Sequence, residues 1–81
     1  MTKTELRAHP GYIEAMDKIK NYRTGFEFHM DFSQIPTAKA NGLKLILCDA
    51  KELGYLESIE IDTELLTGNW VGETYRRTDK R

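Results

Sequence analysis

The sequence has few of the residues that cross-link, break or anchor a chain. Its 81 residues include one cysteine, two prolines and two histidines. Because Cys48 stands alone, we expect neither an internal disulfide nor a Cys/His zinc site. No apolar run approaches the roughly 18–20 residues of a membrane span, and the N-terminus has no signal-peptide pattern. We therefore expect one cytoplasmic domain over residues 1–81 with no membrane partner, and with fraying at about 1–4 and 78–81.

The chain also lacks an excess of charge of either sign. It carries 12 Lys and Arg against 13 Asp and Glu, a formal net charge of −1. This balance argues against a basic nucleic-acid coat protein and against a highly acidic DNA mimic. The charge is nevertheless uneven, because residues 49–73 hold seven acidic side chains and one basic one, whereas residues 74–81 hold four basic and one acidic. The sequence therefore has an acidic stretch followed by a basic tail.

Helical periodicity predicts two main helices. The first runs from Pro10 through Tyr22 and buries Tyr12, Met16 and Ile19, which recur at i, i+4 and i+7. Before it, Thr2 and Glu5 have the spacing of a capping box, and residues 4–8 form at most a short turn.

The second helix runs from about Pro36 to Leu53, with Gly54 at the left-handed position beyond its end. Asn41-Gly42 weakens its first half, so that its start is expected at or after Pro36. Its buried stripe comprises Leu43, Ile46, Leu47, Ala50 and Leu53.

Strict alternation of apolar and polar residues predicts a strand over 26–32. Its core face would hold Phe26, Phe28, Met30 and Phe32. Two further strands are predicted at 56–62 and 70–77, joined by a turn at Thr67-Gly68-Asn69. The parity of the last strand is ambiguous, and Gly72 is read as a bulge that resets it.

The fold class that follows is α+β: a single small domain of α-β-α-β-β order, with both helices packed on one face of a three-stranded sheet. Two sheet orders stay open. A parallel pair joined through the second helix gives a mixed sheet, whereas a last strand placed between the other two gives a fully antiparallel sheet.

The polar face of the first strand is one candidate site. It presents a histidine between two acids, and the neighbouring strand is expected to add a serine and two further acids. Such a group suits a divalent metal or a general base, but an ordinary solvated face requires the same polar residues. We favour the solvated face, and we predict no enzyme, catalytic residue, metal or cofactor; Cys48 is expected to be a partly buried, inert thiol. The residues of this face are Glu27, His29, Asp31, Ser58, Glu60 and Asp62.

Two basic clusters, at 18–23 and 76–81, are candidates for nucleic-acid binding, because cations contact phosphates whatever the sequence. Their candidate residues are Lys18, Lys20, Arg23, Arg76 and Arg77, with Lys80 and Arg81 in the tail. A further hypothesis is that the acidic stretch imitates a line of phosphates. Its members are Asp49, Glu52, Glu57, Glu60, Asp62 and Glu64.

Three segments carry a resemblance to a known group of proteins. Gly25-Phe26-Glu27-Phe28, the segment 54–59 (GYLESI) and the segment 73–77 (ETYRR) are similar to stretches of small uncharacterised proteins of conjugative elements and phages of Gram-positive bacteria. The resemblance implies an accessory role on a mobile genetic element. It supplies no active-site residue.

The leading functional hypothesis is a non-enzymatic module that binds a protein partner or a second copy of itself as a homodimer. Leu66, Trp70 and Tyr75 lie in or near the predicted hairpin and are the candidate interface. Self-association would extend a core that 81 residues build only modestly. Nucleic-acid binding through the basic clusters is the alternative.

Overall fold

The computed structural model describes residues 2–80, which form a small α+β domain as the sequence predicts. The described helices are α1 (Lys3–Ala8), α2 (Pro10–Asn21) and α3 (Thr37–Glu52), and a 3₁₀ turn spans Phe32–Gln34. The strands are β1 (Glu27–Asp31), β2 (Leu56–Thr63) and β3 (Trp70–Arg77).

Local capping explains where the first two helices begin. The Thr2 hydroxyl accepts a hydrogen bond of 3.2 Å from the backbone N–H of Glu5, so the predicted cap exists and initiates a six-residue helix rather than a turn. His9 lies at the junction, where its Nδ1 accepts from the N–H of Gly11 at 3.0 Å. Pro10 occupies the first turn of α2, a position that needs no N–H donor.

The third helix begins and ends close to the predicted residues. Pro36 takes the N-cap position in an extended conformation, and the helical residues start at Thr37. Leu53 caps the C-terminus, and Gly54 follows with φ of +89°. This conformation is easy for glycine alone, which explains why the chain turns there into β2.

The sheet has the order β1-β3-β2, and both neighbouring pairs are antiparallel. Of the two predicted orders, the fully antiparallel one is therefore correct. The register shifts twice on the β2 side: Ile59 is an extra residue of β2, and Val71 is an extra residue of β3 beside Gly72. The bulge predicted at the glycine thus lies at its neighbour.

One face of the sheet packs against the helices. Its central strand contributes Glu73, Tyr75 and Arg77, all at most 1% exposed. Phe26 is a correction to the predicted core row: it precedes β1, is 36% exposed and packs at a tilt against Tyr22, with 4.7 Å between ring centroids. The buried apolar residues are Tyr12, Met16, Ile19, Phe32, Ala40, Ile46, Leu47, Ala50, Leu56 and Tyr75.

Within residues 2–80, no helix combines the length and the apolar character that a membrane crossing requires.

Candidate functional site

The sheet face opposite the helices brings together the predicted histidine and carboxylates. His29 on β1 and Asp62 on β2 flank the central strand, and the His29 Nε2 lies 2.6 Å from the Asp62 Oδ2. Because an ionised carboxylate only accepts, the imidazole Nε2–H is the donor. The two side chains are 50% and 36% exposed.

Gly72 makes this pair possible. It lies on β3 opposite both Asp31 and Asp62. A Cβ at Gly72 would come within 2.8 Å of the Met30 carbonyl oxygen, 3.0 Å of the Asp62 Oδ2 and 3.5 Å of the His29 Nε2. Glycine at this position therefore avoids a clash with the Met30 carbonyl and leaves open the space in which the histidine and the aspartate meet across the middle strand.

The rest of this face separates into local pairs. Asp31 accepts from the Ser33 N–H at 3.0 Å and from its hydroxyl at 2.5 Å, and these bonds hold the pKa of Asp31 below its usual value. Ser58 lies opposite Tyr75 in the register, on the side of the sheet that faces the helices. The bulge at Ile59 reverses the alternation of β2, so that Ser58 and Glu60 lie on opposite faces. The prediction for Ser58 was therefore wrong. In the chain from 2 to 80, no group of three or more His, Cys, Asp or Glu residues has the arrangement of a metal site.

Arg77 is a structural residue and cannot contact a phosphate. It is 1% exposed, and its Nε donates to the Ile19 carbonyl at 2.9 Å while its Nη2 donates to the Lys20 carbonyl at 3.2 Å. These carbonyls belong to the last turn of α2, where the regular i→i−4 bonds of the helix end, and the Ile19 carbonyl also accepts from the Tyr22 N–H at 3.1 Å. The guanidinium also donates to the Thr78 carbonyl at 2.7 Å. Its positive charge suits the negative end of the helix dipole.

The other predicted basic residues are exposed but spread over different surfaces. Arg76 lies on the open sheet face, where it is paired with Glu57 and lies 3.9 Å from Glu27. Lys20 and Lys80 both lie close to Tyr55, with their Nζ atoms 5.1 and 4.8 Å from its ring centroid. Tyr55 is therefore where an exposed cation of each cluster lies near the same aromatic ring. Lys18 and Arg23 are exposed on and after α2, and Arg81 lies outside the described residues.

The acidic stretch is not one continuous surface. Asp49 is 3% exposed and accepts from Arg7 and Tyr12. Glu73 is 1% exposed and lies 2.9 Å from the Lys51 ammonium. Two of the seven acids are thus neutralised inside the fold, which contradicts the hypothesis of a line of phosphate mimics at Asp49.

The three predicted interface residues have three different environments. Tyr75 is fully buried and stacks on Phe28 at 5.3 Å, so it is not available to a partner. Burial raises the pKa of its hydroxyl, which donates to Glu73. Trp70 is half-buried, packed edge-on against Phe32 and covered by the Lys44 ammonium at 5.1 Å. Leu66 alone is open, at 92% exposed.

The loop between β2 and β3 carries the two most exposed large apolar side chains of the described residues. Leu65, which the sequence analysis did not single out, is 96% exposed beside Leu66. The loop is closed by backbone bonds of 2.8 Å from Glu64 N–H to the Asn69 carbonyl and from Gly68 N–H to the Glu64 carbonyl. Two leucines are therefore held outward by a tied loop. The sequence feature that could have indicated this exposed pair is the position of two consecutive leucines directly before the predicted turn.

Comparison with models of known protein families, with curated proteins and with solved structures finds no match to this chain.

Proposed function

We propose that this chain is a non-enzymatic protein-interaction module that binds through the loop carrying Leu65 and Leu66. The observation that carries the proposal is their exposure of 96% and 92% on a loop closed by its own hydrogen bonds. Single exposed apolar residues are common, but adjacent ones on a fixed projection are typical of a docking surface. Trp70, close to the same loop in the sequence, is packed against Phe32 within the fold, so the exposed apolar surface is that of the two leucines.

The loop carries enough apolar surface to contribute to binding. Full burial of one leucine side chain stabilises by about 1.5–3 kcal/mol, so the pair offers about 3–6 kcal/mol before the costs of association. The fold gains nothing from these side chains, because they contact little of their own chain. Their burial would therefore stabilise a complex rather than the fold.

We further propose an accessory role on a mobile genetic element, in the cytoplasm. The support is the resemblance of the segments at 25–28, 54–59 and 73–77 to small proteins of conjugative elements and phages. An interaction module without chemistry of its own suits an accessory protein that modifies the action of another protein.

A site-specific photo-crosslinker tests the interaction proposal. Replacing Leu66 with a photoreactive phenylalanine derivative should give a discrete protein adduct on irradiation in the cells that make the protein. The same replacement at Ile13, 49% exposed on α2, is the matched control and should give none. The double change Leu65→Ser with Leu66→Ser should leave the free energy of unfolding within about 0.5 kcal/mol. Equal crosslinking at Leu66 and Ile13 would remove the support for this loop.

Nucleic-acid binding is the second candidate, favoured by the approach of Lys20 and Lys80 to Tyr55. Its test is a titration with short single- and double-stranded DNA and RNA at two salt concentrations. Lys20→Ala with Lys80→Ala should reduce the salt slope by about two if both ammonium groups contact phosphates. Arg76→Ala is the control, because its guanidinium is paired with Glu57. Absence of binding at low salt would end this candidate.

A further inference from the structure

An apolar groove lies between α2 and α3. One part, of about 370 Å³, is lined by Ala15 of α2 and by Leu43 and Ile46 of α3. A second part, of about 220 Å³, shares these three residues and extends to Phe28 of β1. The two parts are therefore continuous, and the small side chain of Ala15 leaves room that a larger one would fill. A groove of this kind accepts apolar side chains from outside.

The lysines and acids that line the groove are of one sign, since only lysines are among them. Lys39 lines its first part and Lys18 its second, and both are exposed. Among the described residues that line either part, none is acidic. The leucine loop has the opposite character, because residues 60–66 contain three acids and no base, and the exposed Glu64 directly precedes Leu65. One chain thus carries an apolar projection with an acidic flank and an apolar groove with basic edges.

We infer that the groove between α2 and α3 receives the Leu65–Leu66 loop of a second copy of this chain, with Glu64 facing Lys18 and Lys39. The inference rests on the proposed function of the loop and names its partner and its receiving site. Because each copy supplies both surfaces, two copies related by a two-fold axis make the contact twice. A stable interface buries about 1,000 Å² or more, which two reciprocal contacts reach more readily than one.

Charge reversal on the full chain tests this directly by sedimentation velocity across the micromolar range. The wild type should associate, and Glu64→Lys should weaken association, as should Lys18→Glu with Lys39→Glu. Combining all three substitutions in one chain should restore it, because the opposite charges again face each other. Arg23→Glu is the matched control: this exposed cation lies outside the groove lining, and its reversal should leave association unchanged. Failure of the triple variant to recover association overturns the assigned pairing.

A mixing experiment tests the apolar part of the contact. Leu65→Ser with Leu66→Ser removes the loop side chains but leaves the groove, whereas Ala15→Glu fills the groove and leaves the loop. Each variant alone should lose about 100-fold or more in association. An equimolar mixture should form a one-to-one complex, since one intact loop meets one intact groove. A mixture that stays monomeric overturns the inference. Circular dichroism of each variant checks that it remains folded.

The outcomes separate this inference from the proposed function. A wild type that stays monomeric throughout the range overturns the second copy as occupant, while the Leu66 crosslink still tests binding to a different protein. Association that the loop variant abolishes but the groove variant leaves intact places the loop against another surface and also overturns the inference. Association that survives loss of both leucines shows that the loop is not the contact between copies and overturns the inference, while the Leu66 crosslink still tests the proposed function.

Discussion

Asp49 holds the helical layer together, and its removal gives the sharpest stability prediction. The side chain is 2% exposed on α3. Arg7 of α1 donates to it twice, from Nε at 3.0 Å and from Nη2 at 2.8 Å, and the Tyr12 hydroxyl of α2 donates at 2.6 Å. One carboxylate thus links three helices. Burial, with the neighbouring Asp49, raises the pKa of Tyr12 to about 12, so its hydroxyl remains a donor at neutral pH.

Asp49→Ala should cost about 1–4 kcal/mol in the free energy of unfolding. A buried hydroxyl left without its acceptor costs about 1–3 kcal/mol, which applies to Tyr12. The Arg7 side chain is 43% exposed, so water replaces much of what it loses, and an exposed pair adds only about 0–1 kcal/mol. Against a total stability of about 5–15 kcal/mol, this is a large fraction. Urea denaturation followed by circular dichroism measures it.

Two controls separate the contributions to this loss. Tyr12→Phe removes one hydrogen bond and keeps the ring, so it should cost about 1 kcal/mol. Arg7→Met keeps much of the apolar stem but leaves the buried carboxylate with Tyr12 alone. The double variant Arg7→Met with Asp49→Ala should be less destabilised than the sum of the single variants, since the pair is coupled. An Asp49→Ala loss below about 0.5 kcal/mol would refute the reasoning.

The same carboxylate predicts a pH dependence. The hydrogen bonds from Arg7 hold the pKa of Asp49 below its usual value in the folded chain, and burial opposes them only partly. A depressed folded pKa means that the unfolded chain takes up the proton first, at about pH 3.9. The stabilisation is therefore present above this pH and is lost as pH falls further through the folded pKa. Wild type should lose stability more steeply than Asp49→Asn below about pH 4; equal slopes would contradict the assignment.

Three further substitutions test the sheet, a helix and a cap. Gly72→Ala should cost about 1–3 kcal/mol, because its Cβ meets the Met30 carbonyl at 2.8 Å, and denaturation curves measure this. Gly42→Ala in α3 has no neighbour within 4 Å and should raise stability by up to about 1 kcal/mol; a loss in thermal melting would contradict it. Arg77→Met removes the guanidinium bonds to the Ile19, Lys20 and Thr78 carbonyls and should cost about 2–4 kcal/mol, whereas an unchanged midpoint would show that other donors satisfy these carbonyls.

Local patterns predicted the elements whose determinants are local. The apolar alternation gave β1, and the prolines at 10 and 36 with Gly54 gave the helix limits within about one residue. The order of the strands could not be predicted, because the apolar pattern of β3 does not indicate which strands lie beside it. The central position of β3, between β1 and β2, is determined by tertiary packing.

The last strand shows why the candidate site was harder to predict than the fold. Glu73 and Arg77 lie on the buried face of β3, where alternation alone expects apolar residues. Each charge is tolerated because its partner comes from a distant part of the chain, Lys51 for one and the end of α2 for the other. Sequence reasoning named Arg77 among the candidate residues of the alternative hypothesis, nucleic-acid binding, since a terminal basic run is usually solvated. Two of the carbonyls that accept from its guanidinium, those of Ile19 and Lys20, are 58 and 57 residues away in the sequence.

The burial and pairing of charged side chains also limit how strongly the surface can bind a partner through charge. Arg77 is buried and hydrogen-bonded to backbone carbonyls, Asp49 is paired with Arg7 inside the fold, and Arg76 is paired with Glu57 on the open face. The surface therefore carries less basic charge from the C-terminal tail, and less acidic charge from residues 49–73, than the sequence suggests. An external partner therefore meets scattered charges rather than a continuous field. Apolar contact with one flanking charge is then the stronger basis for recognition. Leu65 and Leu66 next to Glu64 provide that combination, and for this reason we propose their loop, rather than the basic clusters, as the binding surface.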